Sequence, residues 1–387
     1  MKRWFILLAL TGVLRGQTVL ALPFFNHAAS ASVDWIGESI AETLRDSMTA
    51  EGVLVLDRQD RLEGYRRLSL RPGAELTHAS IFKIAESLDA SLVIFGNYEV
   101  PAKDSLKMTA RILDLRQGRL GAEMSESGSI EDLAILEYRL GWQVLQQLHW
   151  KSTSSQTEFL KARHAVRLDA VESYVRGLLA TTPEQRHSFF TRAARLDVNY
   201  SQPCFQLGKT FWDRKDYKIA AGWFERVSRT DPHYLEAQFF LGLCRYNMSN
   251  FAGAEQCFQT VSDAVPLNEV FTDLGAAQSR RNKPEAAAAS FRKAIEGDDS
   301  DPDFHFNLGY ALWRAKLFDG AVESFRAVVE RNPDDNEATT LLGRALKRDG
   351  PRQGDPKTEA RERLKLNYEE AAFRQLQAEL GKIDPVK

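Results

Sequence analysis

A Leu-Gly pair recurs along the second half of the chain at a nearly constant spacing. It occurs five times, and an earlier copy keeps the glycine without the leucine; the glycines are Gly177, Gly208, Gly242, Gly275, Gly309 and Gly343. A period of about 34 residues, which the glycines keep from the second onward, is typical of stacked helical hairpins. Such hairpins bury a continuous core only by packing on their neighbours. An all-α array is therefore predicted here.

Three further residue types keep the register that the glycines set. Alanine, phenylalanine and, in three of four units, proline follow the glycine at fixed offsets; they are Ala220, Ala254, Ala287 and Ala321, Phe224, Phe258, Phe291 and Phe325, and Pro232, Pro266 and Pro333. Glycine and alanine are expected where two helices cross, since larger side chains would push the axes apart. Phenylalanine is expected to fill the hole between one unit and the next. Proline should end the second helix, because it cannot continue one.

This Leu-Gly, Ala, Phe and Pro pattern resembles the tetratricopeptide repeat family. The resemblance implies a solenoid of helical hairpins whose first helices line a concave groove that binds a protein or peptide. The repeats are assigned to residues 170–387, after a polar linker at 151–169. The sixth repeat begins at Asn336, and a strongly charged last helix, to about Leu380, is predicted to cap the open end of the array.

The resemblance also selects candidate groove residues, at positions two, five, nine and twelve when the glycine is position eight. They are Phe205, Lys209, Trp212, Phe239, Leu243, Tyr246, Phe306, Tyr310, Trp313, Arg344 and Lys347. The fourth repeat offers small or polar groups there, with Arg280 nearby. An aromatic groove with a basic end favours an extended or helical peptide that carries apolar anchors and an acidic group. The alternative is that several of these aromatic rings pack against neighbouring helices.

The start of the chain, at positions 1–16, has the pattern of a secretory signal peptide. A basic start, Met1-Lys2-Arg3, precedes an apolar run of eleven residues from Trp4 to Leu14, and Gly16 stands at a plausible cleavage point. The run is shorter than the roughly 20 residues that span a bilayer. We expect an extracytoplasmic location, most simply a bacterial periplasm, without stable membrane insertion after cleavage. An uncleaved anchor is the alternative.

Residues 17–150 show a different organisation, in which strand and helix patterns alternate as β-α-β-α-β-β-β-α. Helical crossovers allow the first three strands to be parallel, whereas the later strands are joined as hairpins. The predicted fold class is therefore α+β: an α/β domain with a mixed sheet, followed by the all-α solenoid.

This element order resembles the amino-terminal domain of TolB and is similar to the envelope-assembly modules of CsgG and FlgO proteins. The sequences that carry the resemblance are Leu-Pro-Phe-Phe-Asn at 22–26 and Phe-Gly-Asn-Tyr at 95–98. The resemblance implies docking to envelope machinery. The β-propeller that follows in TolB is absent, so no propeller function is implied.

A basic stretch within residues 57–75, predicted to be a loop, suggests a second kind of function. Its arginines are Arg58, Arg61, Arg66, Arg67 and Arg71. They either bind an anion, which would make the α/β domain a small-ligand sensor, or form a solvated surface.

Motifs for catalysis or metal binding are not found in the sequence. The seven histidines lack metal-ligand spacing, and neither Cys-x-x-Cys nor Gly-x-Ser-x-Gly occurs. Cys204, Cys244 and Cys257 are interpreted as buried apolar residues, with a bridge between the last two as the alternative. A formal net charge of −2 gives no general attraction to nucleic acid. We expect a non-enzymatic scaffold without cofactor or metal, whose candidate partners are a protein or peptide, envelope machinery and a second copy.

Overall fold

The computed structural model places the chain in two compact units. It describes residues 17–28, 30–102, 104–149, 154–352, 360–369, 372–373 and 375–376. The first unit comprises Met1–Gly128 and Leu136–Thr153, and the second comprises Ser129–Ile135 and Ser154–Lys387, so far as these are described. The predicted signal peptide at 1–16 lies outside the described residues. In the described ranges, no helix is both long and apolar enough to cross a membrane.

The first unit is built on a mixed sheet whose central strand is β3. The strands are β1 (Val19–Ala21), β2 (Phe25–Asn26), β3 (Leu92–Glu99), β4 (Ser105–Asp114), β5 (Arg119–Leu120) and β6 (Met124–Ser129). β1 and β2 both pair with β3 in parallel, whereas β4 pairs with β3 antiparallel, and β5 and β6 extend the sheet from β4. The run predicted as the first strand is split at Pro23, which has no N–H to donate.

Among the described residues, four α-helices accompany this sheet. They are α1 (Trp35–Ala50), α2 (Arg58–Arg67), α3 (His78–Ser87) and α4 (Leu133–Gln147). Tyr65 of α2 and Ile84 of α3 form one cluster with Leu20, Leu22 and Val93 from the strands. The apolar stripe of α1 is fully buried; its members are Ile36, Ile40, Leu44 and Met48.

Two predictions for the first unit are wrong. The stretch predicted to be a loop contains α2, which begins with a reciprocal capping box between Asp57 and Asp60. Its arginine-rich sequence has little apolar periodicity, which is why the helix was not predicted. The predicted second strand is reduced to a single parallel bridge between Val19 and Val55.

The arginines of this stretch do not form one anion site. Arg61 is buried and donates to Glu38 at 2.5 Å and to Glu42 at 3.1 Å. Arg66 and Arg67 both donate to Glu63, each at 2.8 Å. Their charges are therefore balanced by carboxylates of the same unit.

The second unit is an array of helical hairpins. After α5 (Gln156–Lys161), which lies within the predicted linker, the helices are α6 (Leu168–Leu179), α7 (Pro183–Leu196), α8 (Ser201–Asp213), α9 (Tyr217–Phe224), α10 (Tyr234–Asn247), α11 (Phe251–Ala264), α12 (Asn268–Arg280), α13 (Pro284–Gly297), α14 (Pro302–Arg314), α15 (Phe318–Arg331) and α16 (Asn336–Leu346). The five hairpins pair α6 with α7 through α14 with α15, and each hairpin packs on the next. The predicted fold class, a mixed-sheet α/β domain followed by an all-α solenoid, is confirmed.

The recurring glycines and phenylalanines meet inside each hairpin. A Cβ placed on Gly275 would lie 2.7 Å from the ring of Phe291, too close for real atoms, and the glycines of the neighbouring hairpins face their own phenylalanines similarly. Phe224 also stacks on Phe240 of the next hairpin, with ring centroids 5.8 Å apart. The phenylalanine thus fills a hole within its own hairpin as well as the expected hole between hairpins.

The predicted capping helix is wrong over residues 360–369, whereas residues 372, 373, 375 and 376 are helical as predicted. Residues 360–369, called the C-terminal segment below, are non-helical and lie along the first helices of the array. Helical geometry begins only at the end of this segment, where the Phe373 N–H donates to the Glu369 carbonyl at 2.8 Å. Residues 370, 371, 374 and 377–387 lie outside the described residues.

Candidate functional site

The candidate site is the groove formed by α10, α12, α14 and α16, the first helices of consecutive hairpins. The C-terminal segment contacts all four helices. Its first residues lie against α14 and α16 and its last against α12 and α10, so it runs opposite to the order of the hairpins. Asp301 and Asp335 fix the groove ends of α14 and α16, because each carboxylate accepts a hydrogen bond from the first turn of its helix.

Side chains of the groove bind the main chain of the segment. Asn307 Oδ1 accepts the N–H of Arg363 at 2.7 Å, and Asn307 Nδ2 donates to the carbonyl of the same residue at 2.8 Å. One repeat earlier, Asp273 accepts the N–H of Lys365 at 2.9 Å. Both groove residues precede their repeat glycine by two positions. Such contacts bind a peptide backbone whatever its side chains are.

A pocket on one side of the groove holds the carboxylate of Glu362, whose side chain is fully buried. Arg280 Nε lies 2.7 Å and Arg314 Nη1 3.4 Å from its oxygens. Ser279 Oγ donates to the carboxylate at 2.6 Å, and the Tyr246 hydroxyl donates at 3.2 Å. Burial is the largest single influence and would lower the pKa of Arg280, but the charge of Glu362 and the interactions with Tyr246 together outweigh it and raise that pKa. The pocket is therefore built for an acidic side chain.

The opposite side of the groove holds the guanidinium of Arg363. Its nitrogens lie 2.7 and 3.0 Å from the two oxygens of Asp335, and 3.2 Å from both Asp303 and Glu337. The guanidinium also lies over the ring of Phe306, 3.6 Å from its centroid. The hydrogen bonds from Arg363 are the main reason that the pKa of Asp335 is lowered.

Lys365 contacts the same acidic side as Arg363. Its Nζ lies 2.7 Å from Asp301 and 2.9 Å from Asp303. Burial lowers its pKa, but these hydrogen bonds outweigh burial, so the net pKa is raised. Because residues two apart share a side only in an extended chain, this arrangement indicates that the segment is extended here.

The groove thus has rims of opposite charge. Carboxylates in the first turns of its helices form the acidic rim; they are Glu236, Glu269, Asp303 and Glu337. Arginines in the last turns of the two central helices, α12 and α14, form the basic rim; they are Arg280 and Arg314. The interpretation of the sequence missed this pattern, although the acids all lie six residues before a repeat glycine and these arginines five residues after one. It also missed Asp273, Asn307 and Asp335.

The predicted groove residues divide into two groups. Three of them contact the C-terminal segment: Phe239, Tyr246 and Phe306. The ring centroids of Phe239 and Tyr368 are 5.4 Å apart. The others pack within the array or lie beyond the described contacts of the segment; they are Phe205, Lys209, Trp212, Leu243, Tyr310, Trp313, Arg344 and Lys347.

Burial within the array explains why several residues of this second group do not contact the C-terminal segment. Tyr310 and Trp313 are 4% and 0% exposed, and the Trp313 indole donates to the Asp349 carbonyl. Arg344 lies over the Trp313 ring and also pairs with Asp349. The ammonium of Lys209 lies 3.7 Å above the ring of a neighbouring phenylalanine, and its side chain stays one-third exposed.

Comparison with known proteins identifies the repeat. The family model described as "Tetratricopeptide repeat" matches residues 205–269, 272–336 and 317–351. The hairpins from α8 to α15 therefore match the tetratricopeptide repeat, whereas the hairpin of α6 and α7 lies outside the matched residues. No catalytic family is indicated by this match.

Relatives of the tetratricopeptide array are distant. The anaphase-promoting complex subunit CDC16 of Saccharomyces cerevisiae is 23% identical over 171 residues, which cover 42% of this chain but only 20% of that protein. Residues 41 to the end of MamA from Desulfovibrio magneticus RS-1 are 23% identical, covering 43% of this chain and 95% of that one, with a TM-score of 0.38. YrrB, titled a protein with an unusual peptide-binding site, is 18% identical, covering 51% and 93%, with a TM-score of 0.37.

Across the described residues, no three His, Cys, Asp or Glu side chains are arranged to hold a metal ion. The three cysteines are free and buried, and burial raises the pKa of Cys244 to about 12 and that of Cys257 to about 11. These thiols are therefore protonated and unreactive at neutral pH.

Proposed function

We propose that this protein is an exported, non-enzymatic scaffold that holds an extended segment of a protein partner in the groove of its tetratricopeptide array. The observation that carries the proposal is the pair of hydrogen bonds in which Asn307 donates to the Arg363 carbonyl and accepts from the Arg363 N–H. A side chain buried in this way, at the centre of a groove, is placed to bind a peptide backbone rather than to pack a core.

Export to the cell envelope, most simply the bacterial periplasm, is part of the proposal. It is supported by the basic start and apolar run within residues 1–16. The two short sequences that resemble TolB support docking to envelope machinery or to a second copy. The two sequences that carry this resemblance lie side by side, because Phe25 and Asn26 pair with Asn97 and Tyr98.

The proposal is tested by photo-crosslinking in cells. A photoreactive residue replaces Lys209, which is partly exposed on α8 and lies 3.6 Å from Glu236 on the rim of the groove. A control replaces the exposed Arg326 on a second helix. Each is placed in a wild-type and an Asn307→Ala background. Alanine substitution of Tyr310 or Trp313 would be a poorer test, because both rings belong to the core.

We expect the Lys209 probe to capture partners that the Arg326 probe does not capture, and Asn307→Ala to change their yield. Identical products from both positions, unchanged by Asn307→Ala, would rule out the groove as the working surface. Fractionation of the same cells tests export: a chain that stays in the cytoplasm with its predicted signal peptide intact would contradict that part of the proposal.

A ligand sensor is a second candidate, favoured by a cleft in the first unit. The cleft has a volume of about 340 Å³, and His27, His78, Asn97 and Arg111 are among its lining residues. A panel of anions and metabolites should shift the thermal unfolding of the first unit, and Arg111→Ala should remove the shift. Arg66→Ala is the matched control, since Arg66 is exposed and does not line the cleft. No shift with any compound would exclude this candidate.

A further inference from the structure

The charges of the C-terminal segment match the rims of the groove in order. Glu362 faces the basic rim, whereas Arg363 and Lys365 face the acidic rim. Leu364, between the two cations, packs against the apolar core of the array. The recognised pattern is therefore acid, base, apolar residue, base, in an extended chain, and is called acid-base-x-base below.

An empty groove would leave several groups without these partners. Arg280 and Arg314 would face each other without the Glu362 carboxylate between them, and Asp303 and Asp335 would lose the guanidinium that they share. Asn307 would lose both of its main-chain partners. Polar groups at the base of a groove are costly to leave unpaired, so the groove requires an occupant of complementary charge.

We infer that residues 360–369 are a built-in ligand which competes for the groove, and that the outside partner presents an extended segment with the same acid-base-x-base pattern. The inference rests on the proposed function, since the partner uses the same groove. A peptide with an inverted pattern would set base against base at Arg280 and acid against acid at Asp335, so the groove would reject it. The C-terminal segment would also keep the groove closed to weaker ligands.

The first experiment titrates a labelled peptide, ARERLKLNYE, into the full chain. The variant Glu362→Lys places a cation against Arg280 and Arg314 and should release the C-terminal segment. We expect the peptide to bind this variant at least about tenfold more tightly than it binds wild type, because the fraction of open grooves rises. Arg361→Glu is the matched control, since Arg361 is exposed on the same segment, and it should bind the peptide as wild type does.

The second experiment exchanges charges across the contact. Arg280→Glu alone sets acid against acid at Glu362, so it should release the C-terminal segment without gaining affinity for the peptide. A peptide with lysine in place of its first glutamate should bind this variant. Circular dichroism and thermal unfolding establish that each variant keeps its folded array. Equal affinity for wild type and Glu362→Lys, or equal affinity of Arg280→Glu for the two peptides, would overturn the inference.

Sedimentation distinguishes a segment bound within its own chain from one exchanged between two copies. We expect a monomer for both wild type and Glu362→Lys. A wild-type dimer that Glu362→Lys converts to a monomer would overturn the assignment of the segment to its own groove. If the peptide never binds but cellular crosslinks at Lys209 still depend on Asn307, this inference fails and the proposed function stands.

Discussion

The contact between Gly275 and Phe291 shows how one missing side chain sets the spacing of two helices. The phenylalanine ring lies where the Cβ of any other residue would be, and it is fully buried there. Gly343 has the same place in the repeat register, but nothing lies within 4 Å of the position that a Cβ would take. The two glycines are therefore equivalent in sequence and different in structure.

We predict opposite outcomes for alanine at these two glycines. Gly275→Ala should destabilise the array by about 1–3 kcal/mol, because the methyl group overpacks the hairpin. Gly343→Ala should be neutral or stabilising by up to about 1 kcal/mol, since alanine favours the helix and meets open space. Urea unfolding of both variants measures the difference, and equal destabilisation would contradict it.

Glu137 is a buried carboxylic acid in the first unit. It is 1% exposed, and the Thr43 hydroxyl donates to it at 2.7 Å. Burial raises its pKa from the ordinary 4.5 to about 7. A raised pKa in the folded state means that its contribution to stability is complete below pH 4.5 and is lost as the pH rises through 7.

We predict that Glu137→Gln makes the first unit more stable at pH 8, by at most about 3 kcal/mol, because glutamine fits the site without an ionisable group. It should also flatten the pH dependence of unfolding between about pH 4.5 and 7. Urea unfolding at several pH values measures both effects. The exposed Glu86→Gln is the control and should keep the wild-type slope; the same slope in Glu137→Gln would refute the assignment.

Among the structural elements, the C-terminal segment depends most on a few polar contacts. We predict that Asn307→Ala speeds amide hydrogen exchange within 360–369 by about tenfold or more, since two buried hydrogen bonds of about 1 kcal/mol each are lost. Asn247→Ala is the control, because Asn247 is exposed and bonds only within its own helix. Unchanged exchange in the Asn307 variant would show that the segment is held by other contacts.

The helices of the array were predictable because their evidence is local. Gly275, Ala287 and Phe291 meet within one hairpin, so their spacing recurs in every repeat and can be found in a single sequence. The aromatic residues at groove positions were less predictable than the helices. Trp313, for example, occupies a groove position in the repeat register, but its ring is fully buried at the turn that contains Asp349.

The C-terminal segment could not be predicted in the same way. Its alternating charges favour an exposed helix when they are considered alone, but Lys365 binds Asp273, 92 residues earlier in the chain. A contact between residues so far apart produces no periodic pattern in the sequence. The charged residues of the rims do form such a pattern, because they recur at fixed offsets from the repeat glycines. The positions of Asp303 and Arg314 could therefore have been predicted from the sequence.

On the scale of the whole molecule, the array is nearly one-dimensional, because each hairpin packs mainly on its neighbours. We predict that Phe291→Ala costs about 3–5 kcal/mol in the fourth hairpin and splits the unfolding of the array into two transitions. Denaturant unfolding followed by hydrogen exchange locates the weakened hairpin. A single transition at the wild-type midpoint would be the contrary result.

The placement of charge along the rims limits how far such a groove can be redesigned. The carboxylates Glu269 and Asp303 lie at the positive ends of their helix dipoles, and Arg280 and Arg314 lie at the negative ends. Inverting the pattern to suit a ligand of opposite polarity would oppose these dipoles at every helix, at about 0.3–1 kcal/mol per end. Ligand preference and helix stability are thus encoded by the same side chains, so a protein engineer would find one charge polarity much easier to build on this array than the other.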